Sequence, residues 1–301
     1  VPELPELTVY AEALRPRVVG RELQSARVRH PFFVRTAEPP LSSIEGSVVV
    51  AVDRRGKRIV IELEGERYLI MHLMLAGRLR WREHGASIPG KAGLAAFDFP
   101  NGTLLVTEHG SHKRASLHLI EGADTLSRLL PDGIDPLSAA PDEFRAAITA
   151  ENHTLKRALT DQRLIAGIGN TYSDEILHRA RLSPFRQTGQ LSDDELEGLR
   201  RATRETLEHW IDVLRTEAGD SFPEKVDAIR PDRAVHGRHR QPCPVCGAPV
   251  QRIVYARGEC NYCARCQTGG KVLSDRAMSR LLKDDWPSTI DELEERGTGL
   301  R

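Results

Sequence analysis

Cys243, Cys246, Cys263 and Cys266 are the residues of this chain whose spacing defines a chemistry most narrowly. Two C-x2-C pairs separated by sixteen residues bring four thiolates around one tetrahedral ion, and Zn²⁺ takes such soft ligands at about 2.3 Å. Four protein ligands leave no coordination position for water, so one Zn²⁺ held there is structural and stiffens the hairpin through PVQRIVYA. Cys260, between the pairs, is expected to be a free thiol. All five cysteines follow residue 240, which does not suit a disulfide framework for the whole fold. At the other end, VPELPE sets Glu3 and Glu6 near a helix start, where the positive end of the helix dipole favours carboxylates. In GIGN, Gly167 and Gly169 permit a tight turn and place Asn170 at a helix N-terminus, where it can cap and where backbone N–H groups attract phosphate.

The elements that must position these residues change character along the chain. A first helix is predicted from Pro5, because Leu7, Ala11, Leu14 and Val18 recur on one face. From Glu22 to Ile120, the runs SVVVAVDRR, KRIVIELEG, RYLIMHLML, LAAFDF and TLLVTE, divided by Gly, Pro and Asn-Gly turns, predict an antiparallel β-sandwich. Asn101-Gly102 is the sharpest turn signal, both residues tolerating positive φ. After LLPDGIDPL the pattern turns helical: PDEFRAAITA, HTLKRALTD, a helix near Asn170, and SDDELEGLRRATRETLEHWIDVLR. Residues 216–241 read as a long loop, and SDRAMSRLLKDDWP as a short amphipathic helix. The fold class is therefore α+β and multidomain.

Lys+Arg and Asp+Glu are equal at 43 each, so no global basicity announces a nucleic-acid partner. The charge is segregated instead: ten Lys or Arg face three acidic residues between Arg230 and Arg280, and the segment from Lys283 onward leans acidic. A basic stretch alone is more often a solvated face than a nucleic-acid site. No apolar run reaches the length of a membrane span and no signal peptide opens the chain, which predicts a soluble, cytoplasmic protein without a membrane partner.

PELPE, the segment TLKRALTDQRLIAGIGNTYSDEIL and the four-cysteine hairpin, in that order, resemble the formamidopyrimidine-DNA glycosylase and endonuclease VIII family over residues 1–270. The resemblance implies a base-excision repair enzyme, a bifunctional glycosylase and abasic-site lyase, acting as a monomer on duplex DNA with a damaged base. Pro2 matches the family's N-terminal proline, whose secondary amine attacks C1′ of the damaged nucleotide. An amine locked in a peptide bond cannot do so; the expectation is that Val1 translates a non-standard start codon that is read as Met and removed. Glu3 matches the acid that protonates the sugar ring oxygen, and Glu6 a supporting carboxylate. VDRRGKRIVIEL resembles the strand bearing a DNA-facing lysine, here Lys57, and the helical segment resembles the helix-two-turn-helix motif, with Lys156 and Asn170 at its DNA-binding positions.

The pattern departs from the family in three places. Leu75 stands at the usual methionine wedge, beside Met74, and His112 with Lys113 falls where oxidised-purine enzymes carry an Arg-Phe pair reading the orphaned base. Gly258 takes the place of the zinc-hairpin arginine, with Arg257 one residue away as its substitute. The implied layout is a β-sandwich with a leading helix over 1–130, a helix-two-turn-helix domain over 136–225, a four-cysteine zinc finger over 235–270 and a tail of unassigned role over 271–301. Two alternatives stay open: a damage-binding module that keeps the scaffold without the nucleophile, and a zinc-ribbon nucleic-acid protein unrelated to repair.

Overall fold

The computed structural model describes residues 2–110, 112–224, 230–255, 258–274 and 288–297. Val1, Arg257 and residues 275–287, where most of the expected amphipathic helix falls, lie outside the described residues. The chain forms two compact units, residues 1–132 with 207–228 and residues 133–206 with 229–301. The helix α6 (Asp193–Ala218) contributes to both, and the four-cysteine hairpin lies within the second unit. No helix among the described residues is long and apolar enough to cross a membrane.

The first unit opens with α1 (Leu4–Val18). Eight strands follow: β1 (Ser25–Val28), β2 (Val49–Arg55), β3 (Arg58–Leu63), β4 (Arg67–His72), β5 (Gly77–Arg82), β6 (Gly93–Phe99), β7 (Gly102–Glu108) and β8 (Ser116–Glu121). They make two antiparallel four-stranded sheets, ordered β1-β6-β7-β5 and β2-β3-β4-β8. Alternating residues such as Ile59, Ile61, Leu69, Met71, Leu104 and Val106 fill the space between the sheets, together with Leu7, Tyr10, Leu14 and Val18 of α1. Phe222, after α6, enters the same core and stacks on Tyr10 with ring centroids 5.7 Å apart. On the outer face of the second sheet, α2 (Ala123–Leu129) covers Val60, Tyr68, Ile70 and Ile120.

The β6–β7 turn departs from the sequence expectation. Phe99 pairs with Gly102, so the two connecting residues are Pro100 and Asn101, and neither Asn101 nor Gly102 has positive φ. Pro100 presets the φ of a first central turn position and shifts the turn back by one residue. Gly102 is needed for another reason: a Cβ there would sit 2.5 Å from the Trp81 indole.

The second unit contains α3 (Pro141–Thr149), α4 (Leu155–Thr160), α5 (Asn170–Arg179), the start of α6, the hairpin β9 (Gln251–Tyr255) and β10 (Gly258–Tyr262), then α7 (Ala264–Thr268) and α8 (Ile290–Gly297). No helix or strand interrupts 219–224 or 230–250, in keeping with the expected loop. The chain after the last cysteine is built onto the hairpin. Ile290 and Val272 are buried with Cys243, Cys260, Cys263 and Tyr262, Lys271 bridges Thr289, and Arg265 pairs with Asp291 at 2.9 Å.

Candidate functional site

In the first unit the candidate chemistry gathers at the start of α1. Glu3 is its N-cap and Pro5 its second helical residue, a place where the missing proline N–H costs nothing. The Glu6 carboxylate accepts the Glu3 N–H at 2.9 Å. Pro2, Glu3 and Glu6 are all buried, the glutamates only 2 % and 5 % exposed. Two buried carboxylates are tolerated here because the first-turn N–H groups and the helix dipole favour negative charge. Along β2, Arg15 binds the Val52 carbonyl and Asp53, and Arg54 donates to the Thr8 hydroxyl at 3.1 Å. This register directs the first turn of α1 toward the β2–β3 connection, Gly56-Lys57, where Gly56 has φ +56°. Lys57 is half-buried there.

Lys57 has a neighbour that the sequence reading missed. Burial, then the charges of Arg58 and Lys57, push the His72 imidazole down to about 4, so it is neutral at physiological pH. Its Nδ1 accordingly accepts the Met74 N–H at 3.2 Å. That bond fixes the loop from Leu73 to Ala76, in which Met74 takes φ +50° and Leu75 is 56 % exposed at the tip. The loop closes through a Gly77 N–H bond to the Leu73 carbonyl at 2.9 Å, and a Cβ at Gly77 would lie 2.2 Å from that oxygen. Leu75 is thus presented on a rigid turn. His112 is also exposed, in a loop held by the buried Glu108, whose carboxylate accepts the Arg114 and Ala115 N–H groups at 2.9 and 3.0 Å. Lys113 donates its ammonium to the Glu108 carbonyl.

In the second unit, Gln162 staples the turn before α5: it accepts the Gly167 N–H at 2.9 Å and donates to the Ile168 carbonyl at 2.7 Å. Gly167 has φ +93°, and Asn170, half-buried, is the first residue of the helix. Lys156, expected at a DNA-binding position, is buried, its ammonium donating to the Asn170 carbonyl at 2.8 Å and to the Asp174 carboxylate. These bonds tie α4 to the first turn of α5 and give a charge removed from water its partner.

Asp174 also takes the His236 ring at 2.7 Å and the Asn261 N–H of β10 at 3.1 Å. Glu175 accepts the N–H groups of Ala234, Val235 and His236 at 2.8 to 2.9 Å. These acceptors fasten α5 to the cysteine hairpin. The only sequence sign of them is a string of polar residues, SDE, on an otherwise buried helix.

The four cysteine Sγ atoms all lie within 4.8 Å of one another, with Cys243 to Cys266 at 3.9 Å and Cys246 to Cys263 at 3.3 Å. Tetrahedral Zn²⁺ with Zn–S bonds of about 2.3 Å requires S–S separations of about 3.8 Å, so the cradle fits the ion. Cys260 is outside it, buried in the hairpin core, and burial and the nearby Asp174 charge raise its thiol. The His178 Nε2 lies 3.3 Å from the Cys243 Sγ, an outer partner of the kind that orients a metal ligand.

Known proteins are similar to this chain in sequence and fold. The profile of the formamidopyrimidine-DNA glycosylase N-terminal domain matches residues 1–121, and that of the formamidopyrimidine-DNA glycosylase H2TH domain matches residues 133–220. The formamidopyrimidine-DNA glycosylase of Thermus thermophilus is 35 % identical over 279 residues, covering 90 % of this chain and all of the relative. The crystal structure of the MutM (Fpg) protein from that organism superposes with a TM-score of 0.73 over 88 % of this chain and 98 % of that one. The Lactococcus lactis Fpg in complex with DNA containing an abasic site gives a TM-score of 0.77 at 26 % identity, over 88 % and 99 % of the two chains. MutM in complex with DNA containing carbocyclic 8-oxo-G gives 0.78 at 26 % identity, over 89 % and 100 %. The chain belongs to the formamidopyrimidine-DNA glycosylase family.

Proposed function

We propose that this chain is a base-excision repair enzyme that removes oxidised bases from duplex DNA and then cleaves the abasic strand, with Pro2 as nucleophile. The observation that carries the reading is the buried pairing of Pro2 with Glu3 at the positive end of α1, directed toward the Lys57 turn. The abasic and 8-oxo-G DNA bound by the two relatives supports the substrate class.

The reading requires Pro2 to be the mature N-terminus. Its secondary amine, titrating below a lysine side chain, attacks C1′ and the base departs with the C1′–N bond pair. Glu3 protonates the ring oxygen as the C1′–O4′ bond breaks with its electrons going to oxygen, and with loss of the amine proton the nitrogen lone pair forms an iminium between Pro2 and C1′, which acidifies the C2′ proton. Loss of that proton expels the 3′ phosphate, and a second elimination expels the 5′ phosphate. Glu6 keeps the Glu3 backbone in place. Lys57 and Asn170 hold phosphates, Lys156 positions Asn170, and Leu75 with His112 occupies the space vacated by the flipped nucleotide. Arg257 is assigned the phosphate contact of the zinc hairpin. Cys243, Cys246, Cys263 and Cys266 hold a Zn²⁺ that supplies rigidity and no reactive group.

The test is borohydride trapping on a duplex with one abasic site, with the adduct located by mass spectrometry. The expected adduct is on Pro2. Intact DNA binding without any adduct would replace the enzyme by a damage-binding module.

A further inference from the structure

The outer face of the β2-β3-β4-β8 sheet is divided along its strands. Its middle is apolar and covered by α2. The end remote from the Lys57 turn carries Glu62 and Glu66; burial, and after it these two charges, push the Tyr68 phenol up. The end at the Lys57 turn is cationic. Ile59, Met71, Leu117 and Leu119 point into the core, so by strand alternation Arg58, His72 and His118 face outward on three successive strands, Arg58 and His72 at the end itself and His118 two residues further in along β8, in register with Ile70. Arg35 continues the row: its N–H bonds the Leu117 carbonyl at 2.8 Å, and Val34 bridges Leu117, placing this segment along the free edge of β8.

The charges that act on the two rings are all cationic. The charges acting on His72 are those of Arg58 and Lys57, and those acting on His118 are Arg58 and Arg35. Arg58 is half-buried, and its Nη1 donates to the Leu129 carbonyl at 2.9 Å. It has no carboxylate partner among the described residues. A guanidinium taken partly out of water without a counter-ion is unfavourable, and its planar set of donors fits a phosphate.

We propose that Arg58, His118 and Arg35 form a phosphate track that continues from Lys57 across the end of this sheet and holds the DNA backbone beside the reacting nucleotide. The track rests on the DNA-repair reading above. Three strand spacings of about 4.8 Å, with a two-residue step along the strand to His118, give it a length of about 16 Å, enough to follow roughly two or three phosphates of one strand. Arg58, anchored through the Leu129 carbonyl, is the preorganised contact; Arg35 is exposed and adds charge at the far end.

The test uses the full chain and a duplex with a single tetrahydrofuran abasic analogue, with Kd measured between about 50 and 200 mM salt. Each lost phosphate contact lowers the salt slope by about 0.9. Arg58→Gln and Arg35→Gln are each expected to do so, making the affinity loss over that fourfold rise in salt about 3.5-fold smaller than in the wild type. Because Arg35 is exposed, Arg35→Gln remains decisive if Arg58→Gln weakens the fold. Unchanged slopes in both variants, with the wild type binding normally, overturn the track alone. A wild-type protein that binds no abasic duplex overturns the repair reading and the track with it.

Discussion

Replacing Lys156 by Met keeps most of the apolar stem and deletes the charge. Asp174 then stays in the interior, its side chain wholly inaccessible, with the His236 ring at 2.7 Å and the Asn261 N–H at 3.1 Å as its remaining donors. Breaking a buried ion pair from one side costs about 3 to 5 kcal/mol. Two surviving donors argue for the lower end, about 3 kcal/mol, still a large fraction of the roughly 5 to 15 kcal/mol that holds a domain folded. Neutralising the orphan in Lys156→Met with Asp174→Asn is expected to return about 1 to 2 kcal/mol as a coupling energy. Urea unfolding followed as a midpoint shift at constant m measures both quantities. The salt dependence of DNA binding, measured in parallel, is expected to keep its wild-type slope. A stability loss below about 1 kcal/mol together with a slope reduced by about 0.9 would put the ammonium on a phosphate and refute the positioning role.

Gly77→Ala forces its Cβ against the Leu73 carbonyl, 2.2 Å away; the turn must open, at about 1 to 3 kcal/mol. Base excision is expected to fall more than cleavage at a ready-made abasic site because Leu75 is displaced, and equal losses would contradict that. His72 titrates near 4 in the folded state against an ordinary 6.5, so the unfolded chain binds the extra proton first as pH falls. Its contribution is present above about 6.5 and is lost toward pH 4, up to about 3 kcal/mol; the stability difference between wild type and His72→Gln should shrink over that range, and a constant difference would show the imidazole is not held neutral. Removing zinc by chelation is expected to weaken DNA binding and loosen the second unit, and full affinity in protein shown to be metal-free would refute the structural role.

Residues close in sequence announce themselves, and partners far apart do not. The cysteine spacing leads directly to the metal cradle, and the apolar repeat Leu7, Ala11, Leu14, Val18 locates α1 to within a residue of its start. Strand β5, GRLRWR, escapes a sequence reading because arginines fill its less buried positions and hide the alternation. The buried acceptors Asp174 and Glu175 are illegible because what neutralises them is remote: His236 and Asn261 lie 62 and 87 residues from Asp174. The burial of Lys156 is hidden for the same reason. A lysine is taken as exposed until its carboxylate is found, and here it lies 18 residues on, across the turn that leads into α5.

Phe222 sets the order in which the chain can finish folding as it is made. The β-sandwich strands are complete by residue 121, yet the aromatic that stacks on Tyr10 and the Glu224 that pairs with Arg82 are synthesised about a hundred residues later. At ribosomal rates of roughly 5 to 20 residues per second, the nascent sandwich waits about 5 to 20 s with that part of its core uncovered. During this interval the face of Tyr10 that Phe222 later covers is available to chaperones and to neighbouring nascent chains. A stop or a proteolytic cut shortly before Phe222 would therefore leave a sandwich with every strand present and its seal missing.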